Sequence, residues 1–332
     1  MRVFKRALIF ILFNILIISG MQFALSMPSS YELAMEQYLV NDCDTLVMGT
    51  SYGFNLIPDL LPEGEKIHNL CGPTVPMVDD LYIIRQLQKE KGIKRIYYDI
   101  YLECWTGELG DVNRIPMLKL LSGRERTDYF LKVLTRESFT DFFFRYELES
   151  EAVSNIPQTI RTKLNVLTAP PAETPPHQNR AFLSAGQEGD YTLVPKAFSP
   201  QQVLPSATKA FEELARFCRQ ENIELIPYIN AFPAERILSD NTQAVHEYFT
   251  AVCAEQGLPL YDMNYLKWEY LPRETTEYVD MDGHMKEALA RRYTALFTEV
   301  ITSQDSSLYF ETSYEEVRKE IAVWQETLGP AA

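Results

Sequence analysis

The chain has 332 residues, 46% of them hydrophobic and 12% aromatic, enough for one large α/β domain or two smaller ones and too apolar for wholesale disorder. Against 31 Lys and Arg stand 46 Asp and Glu, a net charge of −15 that repels phosphate backbones and excludes nucleic acid as a partner. The five cysteines contain no C-x-x-C pair, which excludes a zinc ribbon or a thioredoxin-type motif, and their odd number leaves at least one thiol free unless chains are linked.

Arg2, Lys5 and Arg6 precede an apolar run from Ala7 to about Leu25. A helix needs roughly 20 such residues to cross the hydrocarbon layer, and the basic flank belongs on the cytoplasmic side. Residues 1–26 are therefore expected to be a single-pass membrane anchor, with the rest of the chain extracytoplasmic. Cleavage as a signal peptide is the competing reading, because Ala24-Leu25-Ser26 is a small-x-small triplet. Both readings send the domain outside the cytoplasm.

Residues 29–40 read as a helical lead-in. Thr45 to Met48 is a compact apolar strand that runs into Gly49-Thr50-Ser51-Tyr52-Gly53. Lys66 to Leu70 is a second strand, followed by an amphipathic helix over about 75–91 and a β-branched, aromatic strand over 95–101. Residues from about 105 to 200 break the rhythm and read as an insertion. It contains a helical stretch rich in Phe and Tyr near 128–150, then a Pro-rich segment. The alternation then returns: helix 206–221, strand 224–229, helix 240–256, strand 260–263 and helix 285–303. A tail over 304–332 carries another helical pattern, with Val317, Ile321 and Trp324 on one side. Strands alternating with helices imply a parallel sheet covered on both faces. The expected fold of residues 27–303 is a three-layer α/β/α sandwich with about five parallel strands.

Two places carry candidate chemistry. Ser51 stands where the first strand ends in a Gly-flanked turn, the end of an open parallel sheet at which ligands bind. Its hydroxyl can act as a nucleophile, and backbone N–H groups after it can face a developing oxyanion. A serine capping the next segment is the plainer reading. Of the four histidines, His68 lies in an apolar strand, His177 in the Pro-rich loop and His246 on a helix. His284 follows Asp280 and Asp282 and directly precedes a helix. A nearby carboxylate can fix its tautomer and stabilise the imidazolium. The plainer readings are a loop whose Asp residues only cap and solubilise, or part of a cation loop, for which the oxygen ligands and spacing are incomplete. Neither a metal nor a cofactor is expected. Gly49 to Gly53 also fits G-x-S-x-G, but that nucleophile elbow needs several strands before it. Only about 24 residues separate the apolar run from Ser51.

Leu46-Val47-Met48-Gly49-Thr50-Ser51-Tyr52-Gly53 resembles the first block of the SGNH (GDSL-like) hydrolase superfamily, in its membrane-anchored members. Asn69-Leu70-Cys71-Gly72 resembles the second block, Arg95 to Tyr101 falls at the third strand, Glu224 to Pro233 is similar to a later strand ending near Pro, and Asp280 to His284 stands at the terminal acid–histidine block. The resemblance covers most of the chain outside the insertion. It implies a flavodoxin-like sandwich, Ser51 as nucleophile, His284 as base, and an oxyanion hole from the backbone of Ser51 and Gly72. It departs from the family at two points. Met281 stands three residues before His284, where the family has Asp, so Asp280 or Asp282 must serve; Asp280 is preferred because Asp282 adjoins Gly283 in a tight turn. The third-block Asn, an oxyanion donor, is missing, and Asp99, Tyr101 and Glu103 occupy its region.

The implied activity is an extracytoplasmic serine esterase or O-acyltransferase acting on acyl esters of a cell-envelope glycan or polymer. The similarity is greatest to members that accompany membrane-bound O-acyltransferases, including those acting in D-alanylation of lipoteichoic acid. The alternative is a catalytically inactive domain of this type that binds a glycan or a membrane-bound O-acyltransferase partner.

Overall fold

Five short strands make one fully parallel sheet: β1 (Thr45–Gly49), β2 (Ile67–Asn69), β3 (Arg95–Asp99), β4 (Glu224–Ile229) and β5 (Tyr261–Asp262), in the order β2-β1-β3-β4-β5. The computed structural model describes residues 4–6, 8–10, 13–14, 35, 38–62, 66–71, 76–100, 102–106, 121–133, 161 and 191–327. The helices are α1 (Met77–Glu90), α2 (Glu103–Thr106), α3 (Gly123–Lys132), α4 (Pro205–Glu221), α5 (Ala234–Ser239), α6 (Thr242–Glu255), α7 (Glu287–Thr302) and α8 (Tyr314–Thr327).

Strands β1 and β4 read as near-continuous apolar runs because both faces of the sheet are buried. Side chains alternate across it. Leu46, Met48, Ile96, Tyr98, Leu225 and Ile229 enter one apolar cluster, with residues of α1, α3, α4, α5, α6 and α8. Val47, Tyr97, Ile226 and Tyr228 enter a second cluster, with the buried face of α7. Helices thus cover both faces, which is consistent with a three-layer α/β/α arrangement. Helix α4 shows how the sequence selects its element. Pro205 occupies the first turn, where its missing N–H costs nothing. Ala207, Ala210, Phe211, Leu214, Ala215 and Cys218 recur at helical spacing on the buried side, and Asn222 ends the helix in the left-handed region at φ 56°.

The structure differs from the expected elements in several details. Strand β3 stops at Asp99; the Ile100 N–H still donates to the Tyr228 carbonyl of β4 at 2.7 Å, and the short α2 follows from Glu103. A short helix, α5, precedes α6, started by Pro233. Part of the segment read as an insertion belongs to the main core: Trp105, Leu121 and Tyr129 are buried in the first cluster. The indole of Trp105 lies 5.4 Å from the Phe211 ring and 5.0 Å from the Phe249 ring. Most of the rest, including the Pro-rich stretch with His177, lies outside the described residues. The tail helix α8 docks through Val317 and Ile321, both in the first cluster, with Trp324 against Trp268 at 4.7 Å. Among the described residues, no helix is long and apolar enough to cross a membrane. Of the expected anchor only residues 4–6, 8–10 and 13–14 are described, so the rest of that reading lies outside them.

Candidate active site

In the order 2-1-3-4-5, the direction of winding changes between β1 and β3, and the crevice outside the strand ends at that point is where such sheets bind ligands. Ser51 leaves β1 at this position. Gly49, the last residue of β1, has φ +108°, and a Cβ there would lie 2.5 Å from the Asp99 carbonyl oxygen, so only glycine fits. Thr50 then caps a 3₁₀ turn over Ser51–Asn55, its hydroxyl accepting from the Tyr52 N–H at 3.3 Å and donating to the Asp99 carboxyl. Ser51 is thereby the first residue of a turn held from both ends.

The histidine arrives from the far end of the chain. Tyr278 and Met285 form an antiparallel bridge, and the Val279 N–H donates to the His284 carbonyl at 2.7 Å, so residues 279–284 form a closed loop. Its tip is tight. Gly283 has φ +108°, and a Cβ there would lie 2.5 Å from the Phe232 ring. Within the loop Asp280 Oδ1 accepts the N–H groups of Gly283 (3.1 Å) and His284 (3.3 Å). Asp280 Oδ2 lies 2.8 Å from His284 Nδ1, and His284 Nε2 lies 3.0 Å from Ser51 Oγ. The three side chains form one chain of contacts, carboxylate to imidazole to hydroxyl. Residues 233 positions apart in sequence meet across the end of β1. The Tyr52 ring stacks on the imidazole, centroids 5.0 Å apart, and restricts its rotation.

The two acidic candidates separate cleanly. Asp282 points away from the imidazole: its Oδ1 accepts from Arg236 Nη1 at 2.7 Å and lies 3.5 Å from Lys196 Nζ. Arg236 is itself buried and also donates to the Met281 carbonyl at 2.9 Å, so it clamps the outer side of the loop. For Asp280, burial acts to raise the carboxyl pKa, but the hydrogen bond and charge of His284 and the two backbone N–H groups outweigh it and hold it below the ordinary carboxylate value.

A second clamp joins the halves of the site. Asn55, at the end of the serine turn, is buried; its Nδ2 donates to the Gly283 carbonyl at 3.0 Å and its Oδ1 accepts the Met285 N–H at 2.9 Å. It brackets His284 on both sides. Thr294 of α7 supports the same turn, accepting the Ile57 N–H at 3.0 Å. In the expected third-block region, the Asp99 carboxyl is buried and turned toward Thr50. Burial pushes its pKa from 3.8 up to about 7, against the Thr50 hydroxyl and the backbone N–H groups of Asn230 and Thr50, which favour the ionised form. In the second block, Asn69 Nδ2 donates to the Gly53 carbonyl at 2.8 Å and its Oδ1 accepts the Cys71 N–H at 2.9 Å. Gly72 and Tyr101 lie outside the described residues.

The remaining described histidines sit elsewhere. His68 is a buried residue of β2. His246 pairs through Nδ1 with Asp262 at 2.9 Å and stacks on Tyr265 at 3.8 Å, tying α6 to the end of β5. Sequence reasoning missed Asn55 and Arg236. Nothing in their spacing signals that each reaches a loop far along the chain. Among the described residues no group of three or more His, Cys, Asp and Glu side chains could hold a metal ion. No protein-family model, curated protein or solved structure matches the chain.

Proposed function

We propose that the chain is a serine esterase or O-acyltransferase of the SGNH type. The observation that carries this reading is the contact chain Asp280–His284–Ser51, at 2.8 and 3.0 Å, at the carboxyl end of a parallel sheet. Such spacing is what a hydroxyl needs to lose its proton while it attacks. Ser51 Oγ adds to an ester carbonyl and passes its proton to His284 Nε2, while Asp280 stabilises the imidazolium through Nδ1. The oxyanion is held by the backbone N–H of Ser51 together with that of Gly72. Collapse expels the alcohol, which takes the proton back from His284 and leaves an acyl group on Ser51. Water, or the hydroxyl of an acceptor, then attacks with His284 again as base; water gives hydrolysis, an acceptor gives acyl transfer.

The basic flank and apolar run of the first 26 residues support an extracytoplasmic site tethered beside a membrane. The substrate class that fits this placement is an O-acyl ester on a cell-envelope glycan or polymer, with a membrane-bound O-acyltransferase as partner. A fluorophosphonate probe tests the reading, because it reacts only with an activated serine. Wild type is expected to be labelled, Ser51→Ala to lose labelling completely, and His284→Ala to lose most of it. A folded wild type that is not labelled would replace this reading with a domain that binds a glycan or a partner acyltransferase without chemistry of its own.

A further inference from the structure

We propose that Asp99 is a positioning residue for Ser51: from the end of β3 it holds the Thr50 hydroxyl, and through Thr50 it fixes the turn that presents the nucleophile. The proposal rests on the reading of Ser51 as nucleophile, but it concerns how the serine is placed.

Three observations converge on it. Asp99 is 1% exposed, so its contact with Thr50 is not loosened by water. Its backbone packs so closely on Gly49 that a Cβ there would lie 2.5 Å from the Asp99 carbonyl oxygen and 3.0 Å from the Asp99 Cβ, so β3 abuts the chain one residue before Thr50. The same Thr50 oxygen that donates to Asp99 accepts the Tyr52 N–H, so one hydroxyl joins β3 to residues on either side of Ser51. A carboxyl at this place, where the resemblance expects an Asn donor, serves the site from underneath instead of facing the oxyanion.

Asp99 performs this task with its proton retained below about pH 7 and ionises above it. Burial raises its pKa to about 7, and a negative charge directly beneath the turn would oppose the developing oxyanion. The titratable groups that feel its charge are Cys71 after β2, Tyr98 on its own strand, Tyr228 on β4 and Tyr293 on α7. Burial raises every one of these, and the charge Asp99 carries when ionised adds to the effect, so all four are neutral at neutral pH. Asp80 on α1, bonded to Tyr98, is likewise raised by burial.

The test measures the rate of fluorophosphonate labelling of the full-length protein between about pH 5.5 and 9. Asp99→Asn keeps an acceptor for Thr50 and cannot ionise; it is expected to match wild type near pH 6 and to lose the fall in rate that wild type shows above about pH 7. Asp99→Leu and Thr50→Val remove the contact and are expected to slow labelling by on the order of 10–100-fold at every pH, as a misplaced nucleophile does. Thr50→Ser restores the hydroxyl and the rate. Thr50→Val carries the test where Asp99→Leu does not fold. Wild-type rates in Thr50→Val, or a wild-type alkaline fall in Asp99→Asn, would overturn the proposal. An unlabelled wild type would instead defeat the reading of the site as an active one. The positioning claim then rests on crystal structures: loss of the 3.0 Å Ser51–His284 contact in Thr50→Val supports it, and retention of that contact overturns it.

Discussion

Asn55 is the residue whose replacement most directly tests whether the two halves of the site are held in register. It is buried, and its amide bonds the residues on either side of His284. In Asn55→Ala the Met285 N–H loses its side-chain partner, and the Gly283 carbonyl keeps only the 3.5 Å contact from Asn230 Nδ2. A net hydrogen bond contributes about 1 kcal/mol, and an orphaned buried N–H costs about 1–3 kcal/mol, so a loss of roughly 2–4 kcal/mol is expected. Asn55→Asp is nearly the same shape and is the sharper probe. Its Oδ1 still accepts the Met285 N–H, but the other oxygen now faces the Gly283 carbonyl, acceptor against acceptor. A proton on that oxygen would restore a donor. The folded state therefore binds the proton more tightly than the unfolded chain does, and the variant loses stability as pH rises and recovers it as pH falls. Urea unfolding followed by the fluorescence of Trp105, Trp268 and Trp324 measures stability, and fluorophosphonate labelling measures the site. Asn55→Ala within about 0.5 kcal/mol of wild type and labelled at its rate would refute the argument, since neither bond would then contribute beyond the ordinary surface level.

The two acidic residues of the histidine loop should separate in the same assay. Asp280→Asn is expected to slow labelling by on the order of 10²–10⁴-fold, as loss of a triad acid does, while Asp282→Asn, which keeps an acceptor for Arg236, should change it by less than about 10-fold. Gly283→Ala should destabilise by about 1–3 kcal/mol and slow labelling, because its Cβ would be driven into the Phe232 ring at a backbone angle that favours glycine; thermal unfolding and labelling of the one variant measure both. Asp99 has a consequence for stability as well. Its pKa of about 7 against 3.8 for an ordinary Asp means that the folded protein keeps a proton the unfolded chain has released. Stability should therefore fall as pH rises from about 4 to 7, by on the order of 4 kcal/mol, and urea titrations should show this slope removed in Asp99→Asn.

Much of the fold was legible because each strand carried its own signal. The β4 range matches the expected strand, and the buried stripe of α4 follows helical spacing residue by residue. Local composition carries these because both depend on near neighbours in sequence. It failed at joins. The short α5 follows Pro233 so closely that it merged with the loop, and the expected third strand runs past the Asp99 end of β3 because Ile100 is as β-prone as the strand itself; Tyr101 lies outside the described residues. Trp105, Leu121 and Tyr129 show a different failure. They sit in the segment read as an insertion, yet they join the main core, because Trp105 packs on Phe211 of α4 and Phe249 of α6, and Tyr129 packs on Tyr82 and bonds Asp79 of α1, contacts set by tertiary packing that leave no local trace.

The site divides along the same line. Ser51 and His284 could be singled out because each is a reactive group beside permissive neighbours, a turn glycine in one case and carboxylates in the other. The choice between Asp280 and Asp282 could not be made from offsets along the chain, since both are within reach of the imidazole in sequence. It is made by two contacts that spacing does not encode. The left-handed Gly283 folds the loop back so that Asp280 collects the Gly283 and His284 N–H groups and still reaches His284 Nδ1. Arg236, buried on α5, draws Asp282 to the other side of the loop. Asp282 is held on the far side of the loop by the buried guanidinium, whereas Asp280 faces the imidazole, so the contact to His284 Nδ1 falls to Asp280.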